Sequence, residues 1–502
     1  MANKFHLHIM IFISSLFIFL FVPTVLAKDK WINLQSKNFN VVSNADEKKT
    51  KELALKMEQF RYTLSQLYPD IPESEPIPVT VVMFKDDKAF NPFKPLYNGK
   101  RRDDVAGYFE ATEDENIIAI DASSNEILRV IFHEYFHLLL SFSTNELPLW
   151  INEGLAELYS SFEIDKKEAV LGTPLTYHVN YLQDNDLKFI PLKTLIQVDN
   201  KSPIYNESDK TSFFYTQSWA TLHYIMLSER GLHKPKLFKY LRLIRTKPAE
   251  QAFIEVFGSF EEMDRAIKNY ISNKYYTVVK YPLSMAVSDN SFSIQPLNDA
   301  QTQYHLGNLL LRTGRFDEAE KYFQQATNLD TSLASNITEG LAFVALKRNN
   351  LNQAKEYFQQ AISRSSKNYL VYYQYAKTLL TIAEQENKKP SSELAKEVIS
   401  SARKSLELRP IFAPAYAIIA LTQLLTGENY KEGIEAAKQA VLFAPKKQNF
   451  ALVLAQLQLK TNDYIEAKKT LQPLLNSKSE ETKELANQIM KQIDQQSAPK
   501  QP

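Results

Sequence analysis

The apolar and polar positions in the first part of the chain alternate between strand-like runs and helical spacing. A helix is predicted over about residues 45–67 by apolar residues three or four apart, namely Leu53, Met57, Phe60 and Leu64. Short apolar or β-branched runs predict strands at residues 39–42, 79–82, 105–109 and 117–120. Beyond residue 150 the pattern is mainly helical, with a polar loop over about 199–210. We therefore expect an α+β domain here.

From about Leu297 onward the pattern changes to paired amphipathic helices that repeat. One set of positions recurs 35 residues later, with Leu306, Gly307, Ala319, Phe323 and Ala326 corresponding to Leu341, Ala342, Ala354, Phe358 and Ala361. Pro410 and Pro445 are also 35 residues apart. Small residues at such positions let two helices touch, and bulky ones fill the groove of the next pair. The pattern resembles the tetratricopeptide repeat, with four or five units, more than a generic helical bundle.

The N-terminal residues have the features of an export signal. Lys4 gives a positive start, residues 9–22 are almost wholly apolar, and Pro23 precedes a small-residue cleavage pattern that ends at Ala27. The apolar run of about 14 residues is shorter than the roughly 20 that a membrane span needs. We therefore expect a signal peptide over residues 1–27 and an exported protein, periplasmic or secreted. The alternative is an uncleaved N-terminal membrane anchor, and no other integral span is expected.

Composition narrows the classes of function for this chain of 502 residues. Its 59 basic and 58 acidic side chains give a net charge of +1, which argues against nucleic acid as a partner. With 0 cysteines the chain has neither disulfides nor thiolate ligands, so a metal site would have to use histidine and carboxylate. Its low number of glycines, 11, argues against phosphate-binding glycine loops.

One apolar helical segment contains an HExxH motif, formed by His133, Glu134 and His137. Residues four apart lie on the same side of a helix, so the two imidazoles face one point, where a zinc ion can accept both. Glu134 is turned about 100° from His133, toward the position of a zinc-bound water. A carboxylate there can take the proton of that water, whose pKa zinc lowers to about 7. The motif predicts a catalytic zinc site.

A second segment, Leu149–Glu157, reads LWINEGLAE, and its Glu153 lies 16 residues after His137. Together with the HExxH motif it resembles the gluzincin metallopeptidases, within them the peptidase MA-like domains. The resemblance implies that Glu153 is the third zinc ligand and that Glu157 holds a ligand histidine from behind. The gap after His137 is shorter than in the related aminopeptidases, so Glu157 is the alternative third ligand. No Gly-x-Met-x-Asn segment of the aminopeptidase type is present, which favours cleavage within a peptide.

A hydrolase of this kind also needs a donor for the oxyanion that forms on the attacked carbonyl. The candidate is Tyr215, in an aromatic helix that starts near Phe213, because a Tyr-x-Gln-Ser segment after the zinc motif resembles the corresponding part of peptidase MA-like domains. His223 lies two turns later and is the second candidate. For both residues the alternative is a purely structural place in the aromatic core.

The sequence thus predicts an α+β zincin-like metallopeptidase domain over residues 28–285, followed by an all-α tetratricopeptide solenoid over 297–495. The resemblance implies one zinc per chain, held by His133, His137 and Glu153, and hydrolysis of a peptide or protein substrate. The repeat surface is expected to bind a protein partner. Two alternatives stay open: an inactive zinc-bearing scaffold whose repeats mediate protein–protein interaction, and an amidase that acts on cell-wall peptides.

Overall fold

The computed structural model describes most of the chain after the N-terminal segment. The described residues are 29–68, 71, 79–97, 99–101, 105–112, 115–141, 147–184, 189–206, 208–273, 275–283, 291–330, 333–477 and 479–497. The predicted signal peptide over residues 1–27 lies outside them. None of the helices in the described ranges is long and apolar enough to span a bilayer.

A six-stranded mixed sheet forms the centre of the N-terminal part. Its strands, numbered along the whole chain, are β1 (Trp31–Gln35), β2 (Phe39–Ser43), β3 (Val79–Phe84), β6 (Gly107–Ala111), β7 (Asn116–Asp121) and β11 (Ser293–Leu297). Their order across the sheet is β11-β1-β2-β3-β7-β6. The pairs β2–β3 and β3–β7 are parallel, and the remaining pairs are antiparallel. The four predicted strands lie at β2, β3, β6 and β7, whereas β1 and β11 were not predicted.

The N-terminal part also contains helices, some of which pack on the sheet. They are α1 (Glu47–Leu67), α2 (Asp87–Phe90), α3 (Ile127–Ser141), α4 (Leu149–Ser160), α5 (Thr176–Asp184), α6 (Leu192–Leu195), α7 (Pro203–Asn206), α8 (Ser208–Leu227), α9 (Lys234–Leu243), α10 (Ala249–Phe257) and α11 (Phe260–Ser272). The side chain of Asp46 caps α1 by accepting a hydrogen bond from the backbone of Lys49, as its place before the apolar stripe requires.

The region beyond residue 150 departs from the expected pattern in two ways. A small antiparallel sheet, β8 (Glu163–Asp165), β9 (Glu168–Leu171) and β10 (Val279–Pro282), interrupts the helices. The prediction of a continuous polar loop over 199–210 is wrong, because α7 and the start of α8 lie there. Nearer the N-terminus, and outside this region, a short antiparallel pair of strands, β4 (Leu96–Tyr97) and β5 (Lys100–Arg101), precedes β6.

The C-terminal part is a stack of antiparallel helix pairs. Its helices are α12 (Asp299–Arg312), α13 (Phe316–Leu329), α14 (Ala334–Lys347), α15 (Leu351–Ser363), α16 (Tyr369–Gln385), α17 (Ser392–Leu408), α18 (Ala413–Thr426), α19 (Tyr430–Phe443), α20 (Gln448–Lys460), α21 (Tyr464–Leu471) and α22 (Glu480–Ser497). A Cβ atom at Gly340 would lie 2.5 Å from the buried ring of Phe323, so only glycine lets α13 and α14 approach this closely. The predicted solenoid is confirmed.

The sheet lies between two cores, because its two faces are covered by different helices. Val79, Val81 and Met83 belong to the core that includes α1, α3 and α4. Val82 and Phe84, which point the other way, belong to the core of the first repeat. This two-sided cover explains why all of β3 is buried.

Polar contacts and a strand also join the solenoid to the sheet. Asn308 on α12 donates a hydrogen bond to Glu115 at 2.7 Å, and Arg315 donates one to the carbonyl of Pro92 at 2.6 Å. Strand β11 pairs with β1 directly before α12 begins. The predicted boundaries at 285 and 297 leave all of β11 except Leu297 outside both domains, whereas the structure places the strand at the edge of the sheet.

Candidate metal centre

Helices α3 and α4 pack against each other and bring three predicted ligands together. The Nε2 atoms of His133 and His137 lie 3.2 Å apart. Oε2 of Glu153 lies 3.5 Å from the first of these nitrogens and 3.3 Å from the second. The position of α4 is fixed on its other side by Gly154, where a Cβ atom would lie 2.6 Å from the backbone oxygen of Ser218 on α8. These three donor atoms form a triangle, called the donor triangle below.

The dimensions of the donor triangle fit a zinc ion. A tetrahedral zinc with bonds of about 2.0–2.1 Å keeps its donor atoms about 3.3–3.4 Å apart. The contacts of Glu153 to the two imidazoles are too long for charge-assisted hydrogen bonds, which measure about 2.7–2.9 Å. Accordingly, Oε2 of Glu153 is buried without a hydrogen-bond partner among the described residues. A buried polar atom without a partner is costly, and a metal ion would satisfy it.

The charges around the donor triangle also favour a cation. Burial works against the charged form of His133, but the carboxylates of Glu153, Glu157 and Glu134 together raise its pKa. Burial alone would raise the pKa of Glu153, yet the imidazoles of His133 and His137 hold it at about 2. Glu153 is therefore ionised at neutral pH, in a site where carboxylates outnumber the cationic groups.

Glu134 follows His133 on α3 but is not part of the donor triangle. It is half-buried, and its negative charge acts on His133, Tyr205 and Tyr215. The side chain is thus close to the triangle without contributing a donor atom to it. This is the placement expected of a group that exchanges protons beside a metal rather than binding the metal.

Two tyrosines lie near the donor triangle. The ring of Tyr215, about two turns into α8, is 6.1 Å from that of His133 and 6.2 Å from that of Tyr205. The Tyr205 hydroxyl, on α7, donates to Oε1 of Glu153 at 3.3 Å. Burial and the charge of Glu153 raise the pKa of Tyr215, so its hydroxyl keeps its proton and can donate it in a hydrogen bond. Tyr205 was not predicted from the sequence, because it lies in the segment that was predicted to be a polar loop.

Glu157 lies behind His133, the predicted ligand that the resemblance expects it to orient. Its Oε1 is 3.4 Å from Nδ1 of His133, and its Oε2 accepts a hydrogen bond from Tyr177 at 3.0 Å. Nε2 of His178 is 3.1 Å from the same oxygen, and the Arg129 guanidinium is 3.6 Å away. Burial would raise the pKa of Glu157, but the hydrogen bond from His178 and the charges of His133, His178 and Arg129 hold it at about 2.

The residues that support Glu157 were not predicted. His178 is buried, and its other ring nitrogen, Nδ1, is 2.7 Å from Oγ1 of Thr216 on α8. Residues from separate parts of the chain thus hold one carboxylate. His137 has a simpler support, since its Nδ1 lies 3.3 Å from Oδ1 of Asn152, the residue before Glu153. An oxygen thus lies behind each imidazole: Nδ1 of His137 is within hydrogen-bond distance of Asn152, whereas Nδ1 of His133 makes no hydrogen bond among the described residues and has the Glu157 carboxylate at 3.4 Å. Oxygen acceptors in this position fix ring orientation in metal sites.

His223, the second oxyanion candidate, lies in the core. Its Nε2 is 2.9 Å from the carbonyl of Gly172, and its Nδ1 is 2.8 Å from the Tyr270 hydroxyl. Burial lowers the pKa of His223 to about 4, so it is neutral at physiological pH. Both ring nitrogens are used in these internal contacts, which leaves Tyr215 as the candidate donor beside the triangle.

Comparisons with known proteins concern the C-terminal part. The tetratricopeptide repeat family model matches residues 298–367. No curated protein matches the chain. The solved structure of YrrB, described as a TPR protein with an unusual peptide-binding site, is 16% identical, covering 38% of this chain and 92% of its own, with a TM-score of 0.33.

Two further solved structures are similar over the same extent. TTC0263, a TPR protein of Thermus thermophilus, is 20% identical, covering 39% of this chain and 98% of its own, with a TM-score of 0.28. MamA is 15% identical, covering 41% and 98% of the two chains, with a TM-score of 0.30. The match of the family model, together with the stacked helix pairs, identifies the C-terminal region as a solenoid of tetratricopeptide repeats.

Proposed function

We propose that the chain is an exported zinc metallopeptidase of the gluzincin type, with a zincin-like N-terminal domain and a repeat surface that recruits a protein. The observation that supports this most is the donor triangle of His133, His137 and Glu153. Glu134 lies beside it and Tyr215 faces it. An inactive scaffold would need neither a carboxylate nor a protonated hydroxyl at these places.

Each residue has a definite task in the proposed hydrolysis. Bound at the donor triangle, zinc would supply Lewis acidity, polarising a peptide carbonyl and lowering the pKa of water to about 7. Glu134 accepts the proton of the attacking water and passes it to the leaving amine. The Tyr215 hydroxyl donates a hydrogen bond to the carbonyl oxygen as negative charge develops on it. Tyr205 holds Glu153, and Glu157 holds His133.

The sheet offers a place for an extended substrate. Strand β6 ends the six-stranded sheet in the described part of the chain and contacts α3, the helix of the HExxH motif. An extended peptide can add to such an edge through backbone hydrogen bonds, which select for peptide rather than for particular side chains. A peptide bound along β6 would run past the donor triangle, consistent with cleavage inside a chain.

Digestion of a peptide library by the zinc-loaded full chain tests the proposal. Internal cleavage that stops on addition of a chelator and returns with zinc is the expected result. Cell-wall peptides form a second substrate set, and cleavage of these alone would replace the peptidase by an amidase. If the protein binds zinc but cleaves neither set, the proposal of an enzyme fails and a zinc-bearing scaffold takes its place.

The support behind His133 gives a separate prediction. Glu157→Ala should weaken zinc binding about 10–100-fold, because the ligand imidazole loses the group that orients it. Glu157→Gln retains an oxygen and should weaken it less. His178→Ala should have a smaller effect than Glu157→Ala, since His178 acts only through Glu157. Competition with a fluorescent chelator measures the zinc Kd, and far-ultraviolet circular dichroism verifies the fold.

Glu163→Ala is the matched control, because Glu163 is an exposed glutamate on β8. It should leave the zinc Kd unchanged. A Glu157→Ala protein that is folded and binds zinc as tightly as this control would show that Glu157 does not position the ligand.

A further inference from the structure

A strongly basic segment follows α8, far along the chain from the HExxH motif. Between Arg230 and Lys247 there are seven Lys and Arg residues and no acidic residue, although the whole chain has a net charge of only +1. The basic charge is thus concentrated in one segment, and Glu255 on α10 pairs with two of its lysines, Lys239 and Lys247. It includes α9, Lys234–Leu243.

The backbone before α9 makes a tight turn with left-handed residues. Glu229, Arg230 and Gly231 have φ values of 49°, 58° and 81°, in the left-handed region that residues other than glycine rarely adopt. The residue that follows this turn, Leu232, is 62% exposed. A large apolar side chain is therefore held in solvent next to the first arginine of the segment.

Helix α9 presents a second apolar side chain among cations. Leu237 and Tyr240 are buried against the rest of the domain, whereas Phe238 is 43% exposed. Lys234 and Arg242 lie four residues before and after Phe238, so they flank it on the same face of the helix. Neither of these cations has an ion pair among the residues that the structure describes.

A cleft opens beside the same turn. It has a volume of about 420 Å³ and is lined by Arg230 and Lys234, by apolar residues that include Met226 and Leu227 at the end of α8, and by Val278 before β10. The lining combines apolar side chains with three cations, Arg230, Lys234 and Lys280, and so fits a molecule that has both an anionic group and hydrocarbon. The exposed surface and the cleft thus both combine cationic with apolar side chains.

We propose that this surface, defined by Arg230, Leu232, Lys234, Phe238 and Arg242 and called the α9 surface, docks on an anionic phospholipid bilayer. The cations meet headgroup phosphates, and the two apolar side chains enter the boundary between headgroups and acyl chains. Nucleic acid supplies the phosphates but no apolar layer for an aliphatic side chain, so a bilayer accounts for both halves of the surface.

Docking in this way would keep the candidate site near the membrane. Tyr215 and Leu227 are twelve residues apart on α8, or about 18 Å along the helix axis at 1.5 Å per residue. The metal centre would then stay in the aqueous phase close to the bilayer. This inference does not depend on hydrolysis, because the α9 surface contains none of the proposed catalytic or ligand residues.

The chain lacks cysteine, so one introduced thiol labels one position. Leu232→Cys in the full chain is labelled with the polarity-sensitive fluorophore NBD. Ile465→Cys is the matched control, because Ile465 is 81% exposed on α21 of the solenoid. Vesicles that contain phosphatidylglycerol should raise and blue-shift the emission at position 232 several-fold, and leave position 465 unchanged. Vesicles of pure phosphatidylcholine should change neither. Membrane attachment through the N-terminal segment alone would not produce this difference between positions.

Charge-neutral variants complete the test. Arg230→Gln, Lys234→Gln and Arg242→Gln together, in the labelled Leu232→Cys chain, should weaken vesicle binding at least about tenfold, since each cation near an anionic surface contributes about fivefold. The same number of substitutions at exposed lysines of the solenoid, Lys431→Gln, Lys447→Gln and Lys460→Gln, should not.

Several results would overturn the proposal. They are an equal response at positions 232 and 465, a response to neutral vesicles, and an undiminished response in the triple variant of the α9 surface. Displacement from vesicles by soluble glycerophosphate would identify a phosphate site instead of a bilayer surface. A response at position 232 to an oligonucleotide or an acidic peptide, but not to vesicles, would identify a different class of partner.

Discussion

The Glu134→Gln variant is expected to bind zinc normally and to hydrolyse peptides about 10²–10⁴-fold more slowly than the unaltered chain. Glutamine has the size and shape of glutamate, and Glu134 contributes no atom to the donor triangle. The amide, however, cannot accept a proton from water. Glu153 belongs to the donor triangle and Glu157 lies behind it, whereas Glu134 lies beside it. No other described side chain is therefore placed to accept the proton of the water.

Rates on one peptide and zinc content are to be measured on the same preparations. Glu163→Gln, on the exposed face of β8, is the matched control and should behave as the unaltered chain. An unchanged rate in Glu134→Gln would remove this residue from the mechanism. A variant that loses zinc together with activity would contradict its separation from the metal ligands.

The part of the site that lies on one helix could be predicted from the sequence. Helical geometry alone puts His133 and His137 on one face, so their spacing was sufficient. Glu153 is on a different helix and was assigned through a resemblance. The structure brings the donor atoms of all three together.

Other residues of the site could not be predicted, because their contacts join distant parts of the chain. Tyr205 reaches Glu153 across 52 residues, and His178 reaches Glu157 across 21. Neither belongs to a motif or to a periodic pattern. The sequence around a single tyrosine in a polar stretch, or a single histidine near a loop, does not show whether that residue contacts a site.

The strands also divide into some that could be predicted from the sequence and some that could not. The runs at residues 79–82 and 117–120 were predicted because both faces of their strands are covered, so that apart from Thr80 they are continuously apolar. Strands β8 and β11 have mostly exposed or half-buried residues, and β11 contains Pro296, so neither has the apolar pattern of an inner strand. Such edge strands are defined by their partners rather than by their own sequence.

The contact between the sheet and the solenoid could not be predicted from the sequence either. The 35-residue period identified the repeats, but it does not indicate that the first of them covers a sheet. Val82 and Phe84 face the repeats through the same alternation that points Val81 and Met83 toward α1 and α3. A buried strand can be identified from its composition, whereas the identity of the element that covers each face depends on the tertiary fold.

Loss of a metal ligand is the second large effect expected. His137→Ala should lower zinc affinity by more than about 100-fold, because removing even an outer hydrogen-bond partner of a ligand costs about 10–100-fold. The remaining pair, His133 and Glu153, cannot fill three positions of a tetrahedron. His233→Ala is the matched control, since His233 is outside the donor triangle and should keep the zinc content of the unaltered chain.

Zinc content per chain is the most direct test of the central claim. The unaltered full chain, His137→Ala and His233→Ala are dialysed together against micromolar zinc, then against metal-free buffer, and analysed for zinc and protein. We predict close to one zinc per chain for the unaltered protein and for His233→Ala, and almost none for His137→Ala. Equal zinc content in all three proteins, or no zinc in the unaltered chain, would contradict the account.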